Sequence, residues 1–235
     1  MRSFDILAKE QSKANHRKLV DLKAKYRIPI LITMSQIVPE IYVPPLRFSM
    51  VQPSLYRGAY PREVNFKFLE TLQLKTIISL TPNPITKETD PELYNFAKEN
   101  QIQLIHLECA QSGKGKKRGV PLDYEIAIQG LEYIIHNQYQ PVYVHCYNGG
   151  QVTSLMVACL RKLQFWSAIS IFNEFINFTT NITVNDRSFV DGFHGEIHIN
   201  HDDKVDWLWV GVSKHVVGHH PKFQFIDKNK SMSSI

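Results

Sequence analysis

The sequence predicts an α/β fold with a central, mostly parallel sheet and helices on both of its faces. Two observations carry that prediction. From Phe48 onward, short β-rich apolar runs alternate with segments of helical periodicity, at connection lengths that parallel or mixed sheets use. A composition of 43% hydrophobic and 11% aromatic residues over 235 positions is also enough to bury a core, which excludes a disordered chain.

Each element has a local reason. "SLYRGAYP" reads as a strand running into a turn, and "VNFKFLETLQL" as a helix with Phe66, Leu69 and Leu72 on one stripe. "KTIISLTP" is a fully buried strand closed by Pro82. In "DPELYNFAKEN" Asp90 is placed to cap a helix that begins at Pro91. "IQLIHLE" is the next strand, and the polar loop "CAQSGKGKKRGVP" leads from it into the helix "LDYEIAIQGLEYIIHNQ". The strand "PVYVHC" and the helix "VTSLMVACLRKL" follow, then two further helical patterns, "WSAISIFNEFINF" and "NDRSFVDGF".

Around this α/β domain, placed at residues 44–195, two appendages are expected. Residues 1–43 form a basic extension: positions 1–27 hold eight Lys or Arg against three acids, and Pro29, Pro39, Pro44 and Pro45 impose an extended lead-in. Residues 196–235 read as a loose polar tail. At its start His194, His198 and His201 have spacings that could suit a metal on one helical face, but Glu196 sits at the wrong offset for a zinc hydrolase, and no metal or cofactor is expected.

The net charge of +5, from 27 basic against 22 acidic residues, favours anionic partners but is too mild to indicate nucleic acid. Three scattered cysteines, Cys109, Cys146 and Cys159, fit a reducing compartment better than a disulfide framework. No apolar run is long enough to span a bilayer, so a cytoplasmic protein without a membrane partner is expected.

The chemistry concentrates in "VYVHCYNGGQVTSL", residues 142–155. Ligands of α/β sheets sit at the carboxyl ends of strands, where unpaired N–H groups and the helix dipole attract an anion. Gly149 and Gly150 permit the backbone angles by which consecutive N–H groups curl around one phosphate. The same field favours the nucleophilic thiolate of Cys146. The segment Tyr147, Asn148, Gly149, Gly150, Gln151 and Val152 is therefore the candidate phosphate cradle.

This segment resembles the signature of the cysteine-dependent tyrosine and dual-specificity phosphatases: His-Cys, five residues, Arg, then Ser or Thr. More narrowly, residues 44 to about 193 are similar to the plant and fungal atypical dual-specificity phosphatases, in particular the yeast oxidant-induced cell-cycle arrest proteins. "PPLRFSMVQPSLYRGAYPREVNFKFLETLQLKTIISLTP" is similar to that family's opening and "NDRSFVDGF" to its closing helix. The resemblance implies a protein-tyrosine-phosphatase-like fold with a Cys loop at a helix N-terminus. It also implies roles for His145, which orients the cysteine, and Thr153, which steadies the thiolate. Ordinary packing and helix capping are the alternatives for both residues.

Where the resemblance requires arginine, six residues after Cys146, the chain has Val152. In active members that guanidinium grips two phosphoryl oxygens and strengthens as charge builds in the transition state. Losing a comparable cation costs about 10³–10⁵ in rate, or about 4–7 kcal/mol of barrier. Asn148, Gly150 and Gln151 also stand where the inositol-pyrophosphate branch carries basic residues. No carboxylate lies between Cys109 and Pro121 to act as general acid, although Glu108 and Asp123 flank that loop. Lys114, Lys116, Lys117 and Arg118 either form a solvated loop or lean over the pocket, and Lys114 aligns with a lysine of the family's loop.

The expectation is a weakly active or inactive phosphatase-like protein that binds a phosphorylated or other anionic ligand. The resemblance adds related phosphatase-like proteins as partners in a hetero-oligomer. Two alternatives stand beside it: an active cysteine phosphatase on phosphotyrosine or inositol pyrophosphates through a Cys146 phospho-enzyme, and a purely structural subunit.

Overall fold

The computed structural model describes residues 40–110 and 119–227. Residues 1–39 of the basic extension, and Lys114, Lys116, Lys117 and Arg118, lie outside the described residues. The sheet has the order β1-β2-β5-β3-β4. Its strands are β1 (Ser49–Gln52), β2 (Leu55–Ala59), β3 (Thr76–Thr81), β4 (Gln103–Glu108) and β5 (Val142–Cys146). Only the β1–β2 hairpin of this sheet is antiparallel; β2, β3 and β4 join their neighbours in parallel, as the alternating sequence pattern predicts. β1 itself was not legible beside the prolines that precede it.

Alternate residues of the central strands face opposite cores, because successive side chains of a strand point to opposite faces. Ile78 and Val144 enter one cluster, Ile77 and Tyr143 the other. The second cluster is covered by α1 (Phe66–Glu70) and α2 (Pro91–Glu99). As expected, α2 starts on Pro91, with Asp90 Oδ1 accepting from Leu93 N at 2.9 Å. The predicted helix before β3 is shorter than its apolar stripe, ending at Glu70 before Gln73 turns to φ 49°.

The larger core lies under α3 (Tyr124–Ile134), α4 (Gln151–Leu163), α5 (Ala168–Ile176) and α6 (Val184–Gly192). Helix α4 is buried almost all round, with Leu155, Met156, Ala158, Cys159, Leu160 and Leu163 at 2% exposure or less. Each such Leu contributes about 1.5–3 kcal/mol by leaving water. A deeply seated α4 fixes the position of the loop that feeds it.

The C-terminal residues correct one expectation. Instead of a loose tail, Gly195–Ile199 (β6) and Phe223–Asp227 (β7) pair in parallel, with α7 (Lys214–Gly218) between them. Ile197, Ile199, Val205, Leu208 and Phe223 join the larger core. Trp209 Nε1 donates to the Leu163 carbonyl at 2.9 Å, anchoring this segment to the end of α4. No helix among the described residues is long and apolar enough to cross a membrane.

Candidate functional site

Cys146 ends β5, and Tyr147–Gly150 carry the chain into α4. Gly150, at the N-cap of α4, offers no side-chain cap. At Gly149 the backbone takes φ +66°, and a Cβ there would lie 2.6 Å from the Ala59 nitrogen and the Gly58 carbonyl carbon of β2. That residue is glycine because both the angle and the clearance demand it.

Three successive carbonyls of the loop are held on its outer side by the segment around β1 and β2. Tyr60 N donates to Tyr147 O at 3.3 Å, Arg47 Nη1 to Asn148 O at 2.8 Å, and Arg57 Nη2 to Gly149 O at 3.0 Å. In a trans peptide the N–H points opposite to the C=O. The amides of Asn148, Gly149 and Gly150 therefore point away from those donors, which is how a loop converges N–H groups on one anion. Asn148 Oδ1 already accepts from Gly150 N at 2.9 Å and lies 3.7 Å from Cys146 Sγ, so a neutral oxygen of the chain itself sits where an anion's oxygen would be received.

The predicted residues distribute as follows. Cys146 and the cradle residues Tyr147–Val152 are brought together. His145 is fully buried, and its Nε2 lies 2.9 Å from Ser79 Oγ. Burial pushes its pKa down to about 3, against a smaller opposing effect of the Cys146 backbone, so the ring is neutral at physiological pH. Thr153 is also fully buried, but its hydroxyl has no hydrogen-bond partner among the described residues and does not cap α4. The hydrogen bond expected between Thr153 and the thiol is not made; the thiol lies 3.7 Å from Asn148 Oδ1 instead. Val152, 5% exposed, packs into the larger core. Gln151 Nε2 donates to Asp186 Oδ1 at 2.8 Å, tying the first turn of α4 to the capping box of α6. Lys114 lies outside the described residues.

The flanking acids stay apart from the thiol: among the described residues, neither Glu108 nor Asp123 hydrogen-bonds to Cys146. Cys109 is close enough to feel all three groups. Burial pushes its thiol up to about 12, and Cys146, Asp123 and Glu108 act in the same direction. Beside the loop, a cleft of about 590 Å³ is lined by Tyr60, Arg62, Glu63, Phe66, Asp90 and Tyr147. The Tyr60 and Tyr147 rings stack at 6.1 Å, and the Tyr60 hydroxyl donates to Asp90 at 2.8 Å.

Sequence reasoning missed Arg47, Arg57, Ser79 and Asp186. Each acts across 35 or more residues of chain, beyond any local pattern. The Tyr56-Arg57 pair was the one available signal.

Comparisons with known proteins agree with this fold. The profile described as "Tyrosine phosphatase family" matches residues 42–211, reaching past the end that the resemblance set near residue 193. OCA6 of Saccharomyces cerevisiae, provisionally named a tyrosine-protein phosphatase, is 43% identical over 180 residues, covering 72% of this chain and 80% of its own. Inositol diphosphatase DSP4 of Arabidopsis thaliana is 35% identical over 156 residues, covering 66% of this chain and 75% of its own. The crystal structure of the core catalytic domain of the PP-IP phosphatase SIW14 from S. cerevisiae, in complex with citrate, superposes with a TM-score of 0.57 at 30% identity, over 65% of this chain and 88% of that one.

Proposed function

The chain belongs to the tyrosine phosphatase family, and from that premise we propose that it is a weakly active or inactive phosphatase-like protein. In this reading it holds a phosphorylated or other anionic ligand in the Cys146 loop and acts by binding, with related phosphatase-like proteins as partners. The observation that carries the reading is Val152. The first turn of α4 presents an isopropyl group to the core where catalysis needs a guanidinium over the phosphoryl oxygens.

The remaining parts support binding more than turnover. Outward-held carbonyls orient the amides, and a helix end without a side-chain cap adds its dipole. These groups attract an anion in its ground state. They do not fork onto two oxygens, so they gain little as the phosphorus–oxygen bond breaks. The leaving oxygen also needs a proton, and among the described residues no carboxylate is bonded at the thiol.

A second reading, an active phosphatase through a Cys146 phospho-enzyme, draws on the retained Cys146 and neutral His145 and on the names of relatives such as the inositol diphosphatase DSP4.

Binding is tested by heat. Inorganic phosphate at about 100 times its dissociation constant should stabilise the fold by about 2.7 kcal/mol, a rise of about 5 °C or more in Tm. Gly149→Ala, whose Cβ meets β2 backbone, should abolish the rise. A wild-type Tm indifferent to phosphate would point to the purely structural role instead.

A further inference from the structure

Arg57 lies in β2 opposite Val144, two residues before Ala59, which pairs with Cys146. The strand period puts its side chain on the same face as Val144 and Cys146, beneath the loop. The residue is 1% exposed. Nη2 donates to Gly149 O at 3.0 Å and to Ser154 Oγ at 2.7 Å, and the Phe178 ring lies 3.7 Å from Cζ. Nε and Nη1 are buried with no hydrogen-bond partner among the described residues.

A buried guanidinium is ordinarily neutralised by a carboxylate at contact distance. The charged and titratable groups close enough to act on Arg57 are Glu174 of α5, which is bonded to Arg161, Cys146 of β5, Arg161 of α4 and, from the opposite face of β5, Tyr143. Burial lowers the guanidinium to about 10, with Glu174 and Cys146 opposing, which leaves it protonated at neutral pH. A permanent cation therefore sits behind the loop with two of its nitrogens, Nε and Nη1, unpaired among the described residues.

We propose that Arg57 is the positioning residue of the cradle and supplies from beneath the loop the positive charge that Val152 does not supply from α4. The proposal rests on the reading that the loop holds an anion. By taking the Gly149 carbonyl, Arg57 turns the Gly150 N–H inward. Ser154 and the Phe178 face fix the guanidinium plane. The charge acts across the loop backbone rather than by touching the anion. It draws a ligand in, but it cannot follow charge from oxygen to oxygen as a contacting guanidinium does.

The test compares alkylation of Cys146 by anionic iodoacetate and neutral iodoacetamide at one pH, with Cys146→Ser as the blank for Cys109 and Cys159. Both reagents attack the thiolate, so their rate ratio cancels the thiolate fraction and reports the local field. Arg57→Met should lower the ratio by about tenfold, and Arg57→Lys should restore most of it. A folded Arg57→Met variant whose ratio stays within about twofold of wild type, or a Lys variant that behaves like Met, overturns the proposal.

Should Arg57→Met fail to fold, Ser154→Ala removes one anchor and keeps the charge. Affinity for inorganic phosphate should weaken by about fivefold, and unchanged affinity overturns the positioning role. The alkylation ratio does not require phosphate to bind, so a failed cradle and a failed Arg57 assignment give different results.

Discussion

Helix α4 buries an arginine near each end, and the two are treated differently. Towards the C-terminus, Arg161 gives Nε and Nη2 to the two carboxylate oxygens of Glu174 at 2.7 and 2.8 Å, Nη1 to Gln164 at 2.9 Å and Nη2 to the Val51 carbonyl at 2.9 Å, with the Trp166 ring 4.2 Å away. At the N-terminus, Arg57 has one carbonyl, one hydroxyl and an aromatic face, and two of its N–H-bearing nitrogens go unpaired among the described residues. A fully paired buried cation ties α4 to α5 and β1. A partly paired one beside an amide-lined loop is a source of field for whatever the loop receives. In the proposed reading, the phosphate site is thinned on its α4 side, at Val152, and kept on its sheet side, at Arg57.

The sharpest way to break this contrast is Glu174→Ala. It strands Arg161 in the core and should cost about 3 kcal/mol in urea unfolding, the low end for a broken buried pair because Glu174 is about one-fifth exposed. A loss below about 1 kcal/mol would mean that Arg161 is no better satisfied than Arg57, and the comparison would fall.

A smaller effect sharpens the other end. Asn148→Ala removes the chain's own oxygen from Gly150 N and should tighten phosphate binding by about three- to fivefold, the worth of one freed amide. Weaker binding by titration calorimetry would make the Asn148 amide part of the ligand's grip rather than its competitor.

Much of this was legible beforehand. The strand–helix alternation, the Asp90 cap and the placement of Cys146 between β5 and α4 all followed from local pattern. The missing arginine followed from counting six residues along the loop. The tail was misread because Glu196 and His198 alternate with Ile197 and Ile199, a half-buried strand that looks polar when averaged. The sheet-side supports escaped for a different reason. Arg47 and Arg57 reach the loop from 101 and 92 residues away, and no periodicity reports a contact that only the β2–β5 pairing creates.

The claim that the cradle survives without its catalytic power is tested most directly by phosphate release. The wild-type chain is assayed beside Cys146→Ser on an aryl phosphate and on an inositol pyrophosphate. The account predicts wild-type rates at or barely above the Cys146→Ser baseline, about 10³–10⁵ below those of an arginine-bearing relative. Release at rates close to such a relative's, abolished by Cys146→Ser, would contradict it.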